Sequence, residues 1–225
     1  MSIQDFGFDA LRPFQQKVYD YIVKNPKSNI FILSPTSSGK SLCFQYPGWV
    51  GEGLTVVISP LKSLIYDQVT SLNSKEMNAC VFPGDRHISH YKFVYTTPET
   101  LVMNDNIMSD LKELYSRNKI QRFVFDEAHC VSHWGHDFRP KYLRMNIIKK
   151  CFPNVPVMSL TATATELVVN DILEILMTPE AKKFSTSFYR DNLNIKIWDK
   201  NKDTKTKIAE YIDTVSYTHL RAHET

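Results

Sequence analysis

Nearly continuous apolar runs recur along the chain at residues 30–33, 54–58, 92–96, 122–125 and 155–160. Continuity rather than strict alternation is the pattern of strands covered on both faces, as in a parallel sheet. Amphipathic stretches with helical spacing lie between them. Phe14, Val18, Tyr21 and Ile22 form one stripe, and Leu61, Leu64, Ile65, Val69 and Leu72 a second. Leu167, Val168, Ile172, Ile175 and Leu176 form a third. The alternation predicts an α/β fold, a doubly wound and mostly parallel sheet with helices on both faces. Right-handed crossovers bring the loops after the strands to one edge of such a sheet, where ligands bind. A polar run at 199–205, a linker or a solvated helix start, precedes Ile208, Ile212 and Val215, the expected beginning of another helix. Residues 215–225 continue no pattern and read as a non-native tail.

Composition narrows the class. At 225 residues, 43% hydrophobic and 23% charged, the chain can bury one substantial core. The start, Met1-Ser2-Ile3-Gln4-Asp5, does not read as a secretion signal. No apolar run approaches the roughly 20 residues of a membrane span, so no membrane partner is expected. A net charge of +3 demands no polyanion, and any nucleic-acid contact would be a local basic groove. Cys43, Cys80, Cys130 and Cys151 lack paired metal spacing and are expected reduced and packed.

Chemistry enters after the first strand. Ser34-Pro35-Thr36-Ser37-Ser38-Gly39-Lys40-Ser41 ends in the core of a Walker A loop. Backbone N–H groups over Thr36, Ser37, Ser38, Gly39, Lys40, Ser41 and Leu42 would cradle a polyphosphate at a helix N-terminus. Lys40 would reach the β- and γ-phosphates and the Ser41 hydroxyl would ligate Mg²⁺. Alone, a Gly-Lys-Ser is as often a plain helix start; the strand-loop-helix context favours phosphate. Ser34 and Ser37-Ser38 stand where such loops favour glycine, although left-handed backbone angles are harder for serine. Asp126 and Glu127 follow the apolar run at 122–125 and suit a Walker B pair. Asp126 would hold the cation and Glu127 would polarise the attacking water. The alternative is a pair of acids capping the next helix.

Together these residues resemble the RecQ family of superfamily 2 DNA helicases, in particular its Bloom-type members, from about Phe6 to Leu193. Asp126-Glu127-Ala128-His129 resembles motif II. The segment that follows, Cys130-Val131-Ser132-His133-Trp134-Gly135-His136-Asp137-Phe138-Arg139-Pro140, resembles the aromatic-rich loop that marks this family. Phe6-Gly7-Phe8, Arg12-Pro13 and Gln15 resemble the adenine-reading motif, with Phe8 stacking on the base and Arg12 and Gln15 contacting it. Ser59-Pro60-Leu61-Lys62-Ser63-Leu64 with Asp67-Gln68 resembles motif Ia, a backbone-binding segment. Thr96-Thr97-Pro98-Glu99 resembles motif Ib, and Leu160-Thr161-Ala162-Thr163-Ala164-Thr165 resembles motif III. Without the family, the adenine-type segment reads as an amphipathic helix start, Thr96-Thr97-Pro98-Glu99 as a capping sequence and residues 160–165 as a strand-to-helix turn.

The resemblance implies a RecA-like helicase domain over 1–195, then over 196–214 the connection and first helix of a second such domain. It implies an ATP-dependent 3′–5′ DNA helicase that uses ATP and Mg²⁺, with Lys40, Asp126, Glu127 and His129 as catalytic residues. His129 would relay hydrogen bonds to the coupling residues Thr161 and Thr163; a lone histidine beside acids is otherwise structural. DNA would be met by Ser59, Lys62, Thr97, His133, Trp134, Phe138 and Arg139. Trp134 and Phe138 would stack on single-stranded bases at roughly 1–3 kcal/mol each, unless they are ordinary core packing. Implied partners are single-stranded and branched duplex DNA and genome-maintenance proteins, in the nucleus, in repair and recombination.

The chain departs from that pattern in places. His133 stands where the family has glutamine, and residues 82–91 are short where the family carries a full helix. The second motor domain with its arginine finger, the zinc-binding region and the winged helix are not in the sequence, so no metal beyond Mg²⁺ is expected. This chain alone is expected to bind ATP weakly and not to unwind DNA. The alternatives are a non-motor nucleic-acid-binding module that binds ATP, and an RNA helicase, which the aromatic-rich loop argues against.

Overall fold

The computed structural model describes residues 2–84, 87–132, 140–189, 197, 199–200 and 203–221. It divides into two compact units, Met1–Phe188 and Tyr189–Thr225. In the first unit the strands β1 (Ile30–Leu33), β2 (Leu54–Ile58), β3 (Ala79–Val81), β4 (Phe93–Thr96), β5 (Ile120–Phe125), β6 (Val157–Thr161) and β7 (Lys182–Ser185) form a single sheet. Their order is β3-β4-β2-β5-β6-β1-β7, and every neighbouring pair is parallel. The helices are α1 (Pro13–Lys24), α2 (Leu42–Val50), α3 (Lys62–Asn73), α4 (Pro98–Met103), α5 (Asp105–Ser116), α6 (Asn146–Cys151) and α7 (Glu166–Ile175).

The period of two along each strand divides the core into two layers. Ile30 and Ile32 of β1, with Val57, Val124, Met158 and Leu160, pack against Val18 and Ile22 of α1 and Ile65 and Val69 of α3. Phe31 of β1, with Val56, Ile58, Phe123 and Phe125, packs against Leu111 and Leu114 of α5 and Ile172 and Leu173 of α7. The sheet is therefore doubly wound, as the apolar runs imply. The stripes are narrower than the sequence suggests. Leu61, Leu64 and Leu167 are exposed, and the buried stripe of α3 is Ile65, Val69 and Leu72.

The strands absent from the sequence reading lie at the sheet's two edges. β7 buries one residue of four, and its two lysines suit an exposed edge. β3 is three residues long. The connection from β3 to β4 holds a 3₁₀ turn, Ile88–His90, and no α-helix among its described residues. Adjacent parallel strands ordinarily need a longer, helical crossover; here the buried Ile88 seals the connection against the core instead. Cys43, Cys80 and Cys130 are buried and free, and Cys151 is partly buried and free.

In the second unit, helix α8 spans Thr204–Arg221. It begins within the polar run at 199–205, the solvated helix start of the two alternatives, and runs past residue 215. No glycine or proline interrupts residues 204–221, so backbone propensity does not stop the helix there. Among the described residues no helix is long and apolar enough to cross a membrane.

Candidate nucleotide site

β5, β6 and β1 are neighbours, and their C-terminal ends carry the three candidate motifs. Leu33, the last residue of β1, pairs with Thr161 of β6, and Phe125 of β5 pairs with Ser159 of β6. The loop from Ser34 to Ser41 then leads directly into α2.

Serine replaces glycine in that loop through side-chain bonding. Ser37 takes the left-handed conformation at φ 62°, as does Gly39 at φ 83°. The buried Ser34 hydroxyl donates to Ser38 Oγ at 2.8 Å and lies 2.8 Å from Thr186 Oγ1. Position 39 suits glycine because at φ 83° any L side chain is strained, and a Cβ there would also displace the Gln15 amide. Lys40 Nζ donates to the Pro35 carbonyl at 3.0 Å. Burial pulls its pKa down, against the charges of Glu127 and Asp126.

Residues of the adenine-type motif meet the loop. The Arg12 amide donates to Gln15 Oε1 at 2.8 Å, a capping arrangement at the start of α1. Arg12 Nη1 donates to the Ser38 carbonyl at 3.1 Å and Gln15 Nε2 to the Gly39 carbonyl at 3.0 Å. Phe8, Arg12, Gln15, Gly39, Ser41 and Leu42 share the wall of a cavity of about 300 Å³. Phe8 is 52% exposed, which leaves its ring free to stack.

Opposite stand the carboxylates. Asp126 is buried, and Glu127 follows it at φ 49° in the left-handed region. Glu127 precedes a 3₁₀ turn, Ala128–Val131, without a side-chain cap bond, so the helix-capping alternative finds no support. The Glu127 amide donates to Asp126 Oδ1, and Gln68 Nε2 to Asp126 Oδ2, both at 3.1 Å. Burial raises the Asp126 pKa, as does the charge of Glu127. His129 Nδ1 lies 2.9 Å from Thr161 Oγ1 and 3.3 Å from Glu127 Oε2. Thr161 Oγ1 in turn donates to the Thr163 carbonyl and accepts from the Thr163 amide, both at 3.2 Å. With the hydroxyl proton engaged on that carbonyl, the Thr161 oxygen accepts from a protonated Nδ1. His129 thus lies between Glu127 and Thr161, and Thr163 meets Thr161 through its backbone.

Hydrogen bonding with Cys130, then with Glu127, pushes the His129 pKa from 6.5 up to about 10, and bonding from His129 lowers that of Glu127. A raised folded pKa stabilises the fold fully below the unfolded value, and the gain is lost as pH rises through the folded one. The melting temperature is therefore expected to fall between pH 6.5 and about 10 more steeply in the parent than in His129→Gln. Parallel pH profiles of the two proteins would contradict the assignment.

The DNA-facing candidates are less uniform. Lys62 is exposed, whereas Ser59 is fully buried and its hydroxyl has no partner among the described residues. That burial leaves the Ser59 side chain no path to a strand in this structure. Thr97 is buried and accepts from the Thr100 amide at 3.2 Å as the cap of α4. Ser132 donates to Asp171 Oδ2 at 2.6 Å and anchors the entry to the aromatic-rich segment on α7. His133, Trp134, Phe138 and Arg139 lie outside the described residues. Sequence reasoning missed the role of Gln68. The signal was present, since Gln68 sits between Ile65 and Val69 on the inward stripe of α3, where a polar residue needs a partner.

For a cation, the Ser41 hydroxyl and the Asp126 carboxylate are hard oxygen donors. Mg²⁺ is held through few protein oxygens together with phosphates. No group of three or more His, Cys, Asp or Glu among the described residues could hold a metal by itself. The donor set therefore fits Mg²⁺ carried with a nucleotide.

A family model for DEAD/DEAH box helicases matches residues 12–172. The chain belongs to that family. This helicase domain is 45% identical over 184 residues to the RecQ-like DNA helicase BLM of Xenopus laevis, covering 76% of the chain and 14% of that protein. It is 36% identical over 223 residues to the probable ATP-dependent DNA helicase RecS of Bacillus subtilis, covering 94% and 43%. Its curated relatives are thus RecQ-family helicases, and the chain spans 14% and 43% of these two. Among solved structures it superposes on the helicase domain of Pyrococcus furiosus Hef, with a TM-score of 0.57 at 21% identity over 78% of this chain and 38% of that one. The helicase MrfA bound to DNA and AMPPNP gives 0.61 at 19% identity over 82% and 28%. These likenesses concern the fold: a RecA-like helicase domain.

Proposed function

We propose that this domain is the first motor domain of an ATP-dependent RecQ-type DNA helicase that moves 3′–5′ on single-stranded DNA and unwinds duplexes. One observation carries the reading: the lysine loop, the carboxylate pair and the Thr161 turn end three neighbouring strands, and His129 bridges Glu127 of the pair and Thr161. When bound, Mg²⁺-ATP would supply the bond to be cleaved and the charge that Lys40 and Asp126 complement. Lys40 would leave the Pro35 carbonyl for the β- and γ-phosphates, and Ser41 and Asp126 would hold the cation. Glu127, kept ionised by His129, would orient water at the γ-phosphate. Thr161 and Thr163 would carry that state toward the strand-binding face.

The resemblance to Bloom-type members would place its work in the nucleus, in repair and recombination on branched DNA; a relative in Bacillus subtilis means that the domain type is not confined to nucleated cells. Lys40→Ala tests the reading. Removing a charge-assisted contact of about 1.5–3 kcal/mol should weaken binding of a fluorescent ATP analogue roughly 10- to 100-fold, and single-stranded DNA binding should remain. Unchanged nucleotide affinity would sink the phosphate role. Competition in which RNA displaces DNA would overturn the choice of nucleic acid.

A further inference from the structure

We propose that Gln68 is a positioning residue that fixes the cation-binding face of Asp126, with its own amide set by Tyr95 and Gln45. The inference rests on the reading of Asp126 as the Mg²⁺ ligand. Gln68 Nε2 donates to Asp126 Oδ2 at 3.1 Å. Its Oε1 accepts from the Tyr95 hydroxyl at 3.1 Å and from Gln45 Nε2 at 3.3 Å. Tyr95 is fully buried, so its hydroxyl must find a partner inside the protein.

The orientation of the amide follows from this donor inventory. Turned over, Gln68 would set its NH₂ against the Gln45 NH₂ and its oxygen against a carboxylate oxygen, losing the bond to Asp126 and the bond from Gln45. One arrangement therefore survives, with the donor aimed at Asp126. The Glu127 amide already holds the other oxygen, Oδ1. Bonds at both oxygens restrain rotation of the carboxylate and leave each oxygen acceptor capacity for a cation. The network draws on three elements: Gln45 from α2, Gln68 from α3 and Tyr95 from β4. Gln45 also lines the cavity shared by Phe8 and Arg12, so the network runs from the proposed base pocket to the proposed cation ligand. Partners of this kind around metal ligands typically contribute about 10- to 100-fold in metal affinity.

The experiment titrates a fluorescent ATP analogue into the 225-residue chain with and without Mg²⁺. Gln68→Met keeps the side-chain length without a donor, and Tyr95→Phe removes only the hydroxyl that sets the amide. The gain in affinity that Mg²⁺ gives should fall by on the order of tenfold or more in Gln68→Met, while Mg²⁺-free affinity holds. Tyr95→Phe should show a smaller loss of the same sign, and it carries the test if the methionine variant does not fold. A full Mg²⁺-dependent gain in the folded variants overturns the positioning role, as does an equal loss without Mg²⁺. A parent with no Mg²⁺-dependent gain overturns the reading of Asp126 itself.

Discussion

Glu127→Gln, in the helicase domain joined to a second RecA-like domain, is expected to bind nucleotide normally and to turn it over on the order of 10²–10⁴-fold more slowly. The local geometry isolates this effect. Glutamine keeps the length of the side chain and an oxygen for His129 Nδ1, which lies 3.3 Å from Glu127 Oε2. The left-handed backbone of Glu127, at φ 49°, is no harder for glutamine than for glutamate, since both carry the same unbranched Cβ. Only the negative charge is removed. That charge is well formed at neutral pH, because bonding from His129 holds the Glu127 pKa below the ordinary carboxylate value. A carboxylate so held is a poor proton store and a good acceptor, which suits it to orienting water. Steady-state turnover with single-stranded DNA, read beside equilibrium nucleotide binding, separates the two roles. Equal losses of binding and turnover would move Glu127 from the chemical step to nucleotide binding.

The central strands and their motifs are legible in sequence for a physical reason. β1, β2 and β4 are covered on both faces, so the pressure to be apolar at every position is written into consecutive residues. β7 escapes because an edge strand meets the core on one side, and three of its four residues face solvent. α3 shows the converse. Leu61 and Leu64 look like core residues, yet the sheet covers only the arc of Ile65, Val69 and Leu72. At the site, Lys40, Asp126 and Glu127 can be read because their chemistry demands rare side chains at fixed places. The bonds that orient them come from distant residues: Gln68 lies 58 positions before Asp126, and Thr161 lies 32 after His129. No local pattern encodes such pairings. Ser34 is a third case. In sequence it is only a missing glycine, whereas its hydroxyl ties the loop to Thr186, 152 residues away.

ATP turnover by the 225-residue chain alone is expected to lie about 10³–10⁵-fold below that of the same chain joined to a second RecA-like domain that supplies an arginine finger. The charges around the carboxylate pair explain why. Lys40 is the cation acting on Asp126, and Lys40 and His129 act on Glu127. Lys40 is needed at the β- and γ-phosphates, and His129 is bonded to Glu127 and Thr161. Arg12 donates to the Ser38 carbonyl on the base side of the loop. Among the described residues each cation of this network therefore has an assigned partner, and none of the three is left to meet the charge that develops on the leaving oxygen. Positioning and charge stabilisation carry almost all of phosphoryl-transfer catalysis, so a missing cation lowers the rate far more than it lowers binding. Single-turnover rates at saturating ATP, with and without single-stranded DNA, measure the difference directly. DNA-stimulated turnover by the lone chain at the rate of the joined protein would show that the first domain already holds a complete catalytic site.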